Sequence, residues 1–453
     1  MNYPIWQIDI LGGPWLIGVI SCVHIFVSHF AVGGGIFFAI TEQIAMKDKN
    51  EKLYDYLKQH SKFFMLLTTV FGAVTGVGIW FAISLVSPDG THALIQNYTL
   101  GWATEYVFFV AELATIFVYY YTWDKISKKD HLLLARLYAI FSILTLVIIN
   151  GILTFMLTPG GWLESGYWGH GFFNPTYWPS LVMRLVIMAA LAGMYALMTG
   201  AQLPQKNESE ENFRTYLLRY ASKWFLPLFF LGPLVAWWYF SNIPAEVTQN
   251  IFTGIQSSGI GNFSILARAI YLSLIVSGTV LVYVLVGPYF NPKGFSFTNA
   301  LLFMCCGLLV TSIGEWSREM LRKPYVIYNY MYSNGLLKKN VAKINEMGFI
   351  KFSKQIPKEI KELIPEKLAE SEEAGEIIFK QQCMACHTLD GYRSMRKLIG
   401  ERDQRSIRAF LEMMRSTDPE TNQYLRIMPP VVGKSEEIDA LAKYLSGLAK
   451  NKS

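Results

Sequence analysis

Eight apolar runs, each long enough to cross a bilayer, occupy most of the first 320 residues of this 453-residue chain. A spanning helix needs about 20 mostly apolar residues, because every backbone N–H and C=O carried into hydrocarbon must be bonded within the helix itself. The runs fall near 13–42, 63–87, 99–123, 133–157, 178–201, 222–240, 266–288 and 298–317. They predict an all-α fold, a polytopic helix bundle. Only 16% of residues are charged, against roughly a quarter in soluble proteins. The shortfall is confined to the apolar runs, since the chain beyond residue 320 is dense in Lys, Arg and Glu. Three parts are expected: a membrane domain over 1–322, a partly helical linker over 323–372, and a small soluble α-helical domain over 373–453. The net charge of +6 comes without a basic stripe and interleaved aromatics, which argues against a nucleic-acid partner and leaves membrane lipid.

Charge placement gives the orientation. No Lys or Arg precedes the first run and no small-residue cleavage site follows it, so the first span is expected to insert with its N-terminus outward. Lys47, Lys49, Lys52, Lys58 and Lys62 follow span one; Lys125, Lys128 and Lys129 follow span three; Lys206, Arg214, Arg219 and Lys223 follow span five. The loops at 88–98, 158–177 and 241–265 carry no Lys or Arg. By the positive-inside rule the first set is cytoplasmic and the second outside. Eight spans then return the chain to the outer, periplasmic side of an inner membrane, where the soluble domain should lie.

That domain contains Cys383-Met384-Ala385-Cys386-His387. In a C-x-x-C-H run the two thiols bond the vinyl groups of a haem and the adjacent His ligates its iron. Forty-one residues beyond His387, Met428 stands in Ile427-Met428-Pro429-Pro430, and a thioether there completes the His/Met pair of c-type haems. Helical patterns flank both, over 376–382 and 436–448, in a small class I cytochrome c layout. A zinc or redox C-x-x-C is the alternative. Covalent haem c is attached outside the cytoplasm, in agreement with the topology. Cys22, Cys305 and Cys306 lie in apolar runs and read as small buried hydrophobes.

A charge at the centre of a spanning helix costs roughly 2.5–3.5 kcal/mol on insertion scales, so each one here is a functional candidate. Glu105 and Glu112 on span three share a face, about 10 Å apart along the axis. His24 and His29 on span one point about 140° apart and do not easily share a metal; one is expected to be a ligand and the other structural or proton-handling. Arg184, Arg268, Glu315, Arg318, Glu319 and Arg322 fall towards the outer half. Pairing of Glu315 with Arg318 and of Glu319 with Arg322 is an alternative to function. Gly33-Gly34-Gly35 with Gly72, Gly76 and Gly78 suit close helix approach or a flat cofactor edge. Met183 and Met188 read as lipid or core filler.

These residues resemble subunit I of the cytochrome bd family of terminal oxidases. Span one reads V-H-I-F-V-S-H-F-A-V-G-G-G-I-F-F-A-I-T-E, which places the family's haem-ligating His and its glycine on His24 and Gly33. Span three reads E-Y-V-F-F-V-A-E-L-A-T-I-F-V-Y-Y-Y-T-W-D, placing the second family glutamate on Glu112, with Glu105 one residue out of register with the first. Span eight ends G-E-W-S-R-E-M-L-R-K-P-Y, placing a haem-ligand carboxylate on Glu319 with Arg322 and Pro324 in register. The resemblance implies one or two membrane haems of type b and/or d, dioxygen as substrate, and a second membrane subunit. The departures matter as much. Met183 and Arg184 stand where the family has a His for its low-potential haem, and Ile270 stands two residues after Arg268 where it has a Met. The quinol-binding loop is absent, since 241–265 is short and charged only at Glu246. The expectation is a divergent oxidase that takes electrons through its fused c-type haem from a soluble periplasmic donor such as a cytochrome c. Dioxygen would be reduced to water at haems near His24, Glu112 and Glu319, with Glu105, Glu112 and Glu319 as ligands or proton relays. A different acceptor, nitric oxide or a peroxide, and a non-catalytic electron-transfer subunit stay open. A transporter would show Gly/Pro-broken inverted repeats, and no such symmetry is visible.

Overall fold

The structure is a computed structural model that describes residues 5–248, 261–363 and 368–450. Among them, eight helices are long and apolar enough to cross a membrane. They are α1 (Gly13–Lys47), α2 (Glu51–Val86), α4 (Thr99–Tyr121), α5 (Lys128–Phe155), α6 (Tyr177–Ala201), α7 (Glu208–Ser241), α8 (Leu266–Phe290) and α9 (Phe297–Arg322). A short α3 (Pro88–Asn97) joins the second and third spans. The eight expected runs are these eight helices. Side-chain oxygens cap three helix starts, Asn50 to the Leu53 amide, Ser127 to that of Asp130 and Asn207 to that of Glu210, which satisfies donors that a helix start leaves bare. Residues 249–260 of the 241–265 loop lie outside the described residues.

Two compact units divide the chain, one of residues 21–77 and 98–318, the other of residues 1–20, 78–97 and 319–453. The first is built around α6, whose apolar window is 61% buried while that of no other span exceeds 39%. A Cβ on Gly33 would lie 2.1 Å from the Met188 carbonyl oxygen, so α1 and α6 meet backbone to backbone. Gly34 and Gly35 are filled in the same way by the rings of Phe64 and Tyr138, at 2.3 and 2.5 Å. The glycine run therefore serves helix packing, and Met188 is core filler, 1% exposed. Phe30 stacks on Tyr195 at 3.7 Å within an aromatic cluster that includes Phe37, Phe38 and Phe64. A π-helical turn at Leu66–Gly72 interrupts α2; such turns cluster at functional positions.

The second unit continues from α9 into an antiparallel pair, β1 (Tyr325–Ile327) and β2 (Met331–Tyr332), with Tyr325 opposite Tyr332. Helices α10 (Val341–Met347), α11 (Glu372–Gln382), α12 (Gln404–Met413) and α13 (Ser435–Lys450) follow. Helices α11 and α13 cross at Gly375, where a Cβ would lie 2.2 Å from the Ala440 carbonyl oxygen, and Phe379 and Tyr444 pack beside the crossing at 5.7 Å. The 323–372 stretch is not the bare tether its Lys and Glu content suggests. Its Tyr332, Val341, Ile344, Phe349, Ile350 and Ile356 share one apolar cluster with Ile378, Phe379 and Leu441. Average composition hides those few apolar residues, and burial of apolar area is what folds the stretch onto the domain.

Glu437, 2% exposed, fastens it by accepting from the amides of Phe349 at 2.7 Å and Ile350 at 2.8 Å. Glu437→Ala should cost about 1.5–3 kcal/mol, read by chemical denaturation, and should speed hydrogen exchange at the amides of residues 349 and 350. Amides that stay protected in this variant would show that the stretch is held by something else.

Candidate functional site

Within the soluble part, Cys383 caps the end of α11, and its carbonyl accepts from the amides of Cys386 at 3.1 Å and His387 at 3.0 Å. One tight turn thus presents both thiols and the imidazole. His387 Nδ1–H donates to the Arg393 carbonyl at 3.0 Å, which selects the tautomer with its lone pair on Nε2, as a carbonyl behind a metal-ligating imidazole does. Burial holds the ring below the usual His range, with a smaller opposing effect of that hydrogen bond, so the imidazole is neutral and able to ligate near pH 7. Both cysteines are free, and burial, then the neighbouring Cys386, pushes the Cys383 thiol up to about 12. Among the described residues no three His, Cys, Asp or Glu side chains converge on a metal position. Met428 packs against the same apolar cluster as Cys383. Its loop is tied to α11 by a reciprocal pair, Gln382 Nε2–H to the Val432 carbonyl at 2.7 Å and the Val432 amide to Gln382 Oε1 at 3.0 Å.

In the same unit the end of α9 carries Glu319, whose carboxylate pairs with Arg322 and, at 3.0 Å, with Lys323. Arg322 also donates to the Val326 carbonyl at 2.8 Å. Both Glu319 oxygens are therefore engaged, which makes it a poorer ligand than its position in the motif suggests.

The membrane unit separates the two histidines of α1. His29 is buried, donates from Nδ1 to the Ile25 carbonyl at 2.8 Å and turns Nε2 to Arg184 Nη1 at 3.4 Å. Both ring nitrogens are used. His24 bonds Thr75 Oγ1 through Nδ1 at 3.1 Å, and its ring also hydrogen-bonds the Gly72 backbone. Beside it a Cβ on Gly76 would sit 3.1 Å from His24 Cε1, so glycine keeps the ring clear. Thr75 lies three residues beyond the π-helical turn of α2. Glu112 accepts from the Tyr138 hydroxyl at 2.8 Å on one oxygen, leaving the other, while Glu105 has no hydrogen-bond or ion-pair partner among the described residues. Glu315 pairs with Arg318 at 2.7 Å, as helical spacing allows. No hydrogen bond joins His24 to Glu105 or Glu112, Met183 is half-buried, and Arg268 is exposed.

Sequence reasoning passes over a further buried group. Glu42, wholly buried, is held by His131 Nδ1 at 2.7 Å and the Tyr119 hydroxyl at 2.9 Å, and His131 Nε2 meets the Tyr119 carbonyl at 3.0 Å. Glu42 stands near the end of its apolar run and His131 at the start of another, where a charge reads as interfacial.

Residues 14–239 match the family model of cytochrome bd terminal oxidase subunit I. Among solved structures, the chain is similar to the bd oxidase from Geobacillus thermodenitrificans, with a TM-score of 0.57 and 17% identity over 68% of this chain and 85% of that one. No curated protein matches. Residues 14–239 are thus similar to cytochrome bd subunit I, the helical bundle has the fold of a bd oxidase, and the chain is an integral membrane protein.

Gln382→Leu should remove both bonds to Val432, lower stability by about 1–3 kcal/mol and deprotect the Val432 amide in hydrogen exchange. Unchanged protection at Val432 would show that the Met428 loop is positioned independently of α11.

Proposed function

We propose that this chain is a bd-type terminal oxidase subunit that receives electrons through a covalent haem c in its own C-terminal domain and reduces dioxygen to water at membrane haems. The subunit I match over residues 14–239 supports the oxidase part. The observation that carries the electron input is the His387 turn, with two free cysteines beside an imidazole whose Nδ1–H is fixed by the Arg393 carbonyl.

In this reading Cys383 and Cys386 would hold haem c covalently, with His387 and Met428 as the ligands to its iron. His24 and Glu112 would hold haem b and/or haem d, Glu112 keeping one oxygen beyond its bond from Tyr138. Haem supplies one-electron transfer and, at an open iron position, dioxygen binding. Glu319 serves in charge pairing with Arg322 and Lys323. Reduction of one dioxygen consumes four electrons and four protons. Tyr138 steadies Glu112 by donating to it, while Glu105, without a partner, takes up and releases a proton with no bond to break first. Such intramembrane carboxylates are suited to relay work. The N-terminus and the cytochrome c domain lie on the periplasmic side of the inner membrane, within reach of a soluble donor such as a cytochrome c. A second membrane subunit and lipid cover apolar faces exposed here, including Val74, Val77 and Val107.

The purified protein should be reduced by ascorbate with a redox mediator, or by a cytochrome c, and not by quinols; rapid quinol-driven oxygen uptake would refute the proposed donor. His24→Ala should abolish a membrane-haem absorbance band and leave the c-type band, whereas His29→Ala should keep both. Loss of the membrane band in the His29 variant alone would reverse the assignment.

A further inference from the structure

Resting on that reading, we propose that the charge cluster at the end of α9, two cations on one carboxylate, tunes the potential of the c-type haem, with Lys323 as the residue that favours the reduced iron. The Glu319 carboxylate pairs with Arg322 through one oxygen and with Lys323 Nζ through the other, at 3.0 Å. Two positive charges against one negative leave an excess of one cation. The Arg322 and Lys323 side chains are only 5% and 8% exposed, so water does little to screen that excess. Taking charge out of water is costly even when it is paired, and an unmatched cation is costlier still. The cluster and the Cys386 turn belong to the same compact unit of the chain.

Three contacts bring the cluster to the haem-attachment turn. The Pro324 carbonyl, directly after Lys323, accepts from the Ser333 amide at 2.8 Å. Ser333 Oγ in turn lies 3.9 Å from Cys386 Sγ, and Asn334 Nδ2–H donates to the Gln382 carbonyl at 3.4 Å, one residue before Cys383. Burial acts against the Lys323 ammonium, yet Cys386 and then Glu319 hold it above the usual Lys range, which puts the charge within electrostatic reach of that sulfur. Cys386 is one of the two sulfurs that would hold the haem, so a cation beside it acts on the porphyrin it holds. The step served moves one electron from the soluble donor, which is oxidised, to the c-type iron, which is reduced, with no bond made or broken. The added negative charge is favoured by a nearby cation and opposed by a nearby carboxylate. A unit charge about 10 Å from another, at an effective dielectric of about 20, biases such an equilibrium roughly tenfold. His/Met ligation already raises the potential of a c-type haem. Lys323 adds to that rise, so the domain takes electrons readily from its donor.

The test is a redox titration of the full-length protein, followed at the c-type absorbance band. Lys323→Met, which keeps the length of the side chain and removes its charge, should shift the equilibrium towards oxidised haem by roughly tenfold, a midpoint lower by about 59 mV for a one-electron couple. Glu319→Gln, which leaves both cations, should raise the midpoint instead, and it serves alone if the methionine variant does not fold. Lys323→Arg, which keeps the charge, should stay at the wild-type value. The proposal is overturned if either charge-removing variant leaves the midpoint where it was, if both move it in the same direction, or if the arginine variant falls as far as the methionine one. Each of those results would assign the cluster to packing alone. Wild-type protein without covalent haem would instead overturn the reading beneath it, and the tuning with it.

Discussion

A charge taken into hydrocarbon has to be met where it lies, because water is not there to meet it. That requirement orders the interior of the membrane unit. Arg184 faces His29, Glu315 holds Arg318, and Glu42 sits between His131 and Tyr119. Within this pattern the Glu112 carboxylate keeps one oxygen beyond its bond from Tyr138, and Glu105 has no hydrogen-bond or ion-pair partner among the described residues.

The soluble part solves a different problem, that of holding one imidazole in one tautomer. The Arg393 carbonyl does this from behind His387, and the turn before it, closed by Thr388 on the Tyr392 carbonyl, reaches residues 10–15. Orientation of the imidazole and this attachment thus share the stretch from Thr388 to Arg393. The Gly375 crossing and the buried Glu437 supply the rigid frame from which that turn projects.

How much of this was legible in the sequence depended on whether the deciding contact was local. Span lengths and C-x-x-C-H are local, and all eight helices lie where the apolar runs place them. The surroundings of His29 are not, since Arg184, 155 positions away, meets its Nε2. Glu42 escaped notice because its partners, Tyr119 and His131, lie on two other helices. The packing of the 323–372 stretch is not local either, because its apolar residues are sparse and only the facing surfaces of α11 and α13 show that they are core. Glu319 fits a family motif by register, yet its neighbours Arg322 and Lys323 claim both of its oxygens. Register transfers position more faithfully than it transfers coordination.

The central claim is that haem sits at two levels in one chain, thioether-bonded at Cys383 and Cys386 and non-covalently held among His24 and the α4 glutamates. Acid–acetone extraction of the purified protein, with haem typed and counted in both fractions, tests it most directly. The account predicts one haem per chain retained on the polypeptide and at least one further haem, of b or d type, in the extract. A retained haem with an empty extract would leave only a membrane-tethered cytochrome and contradict the oxidase.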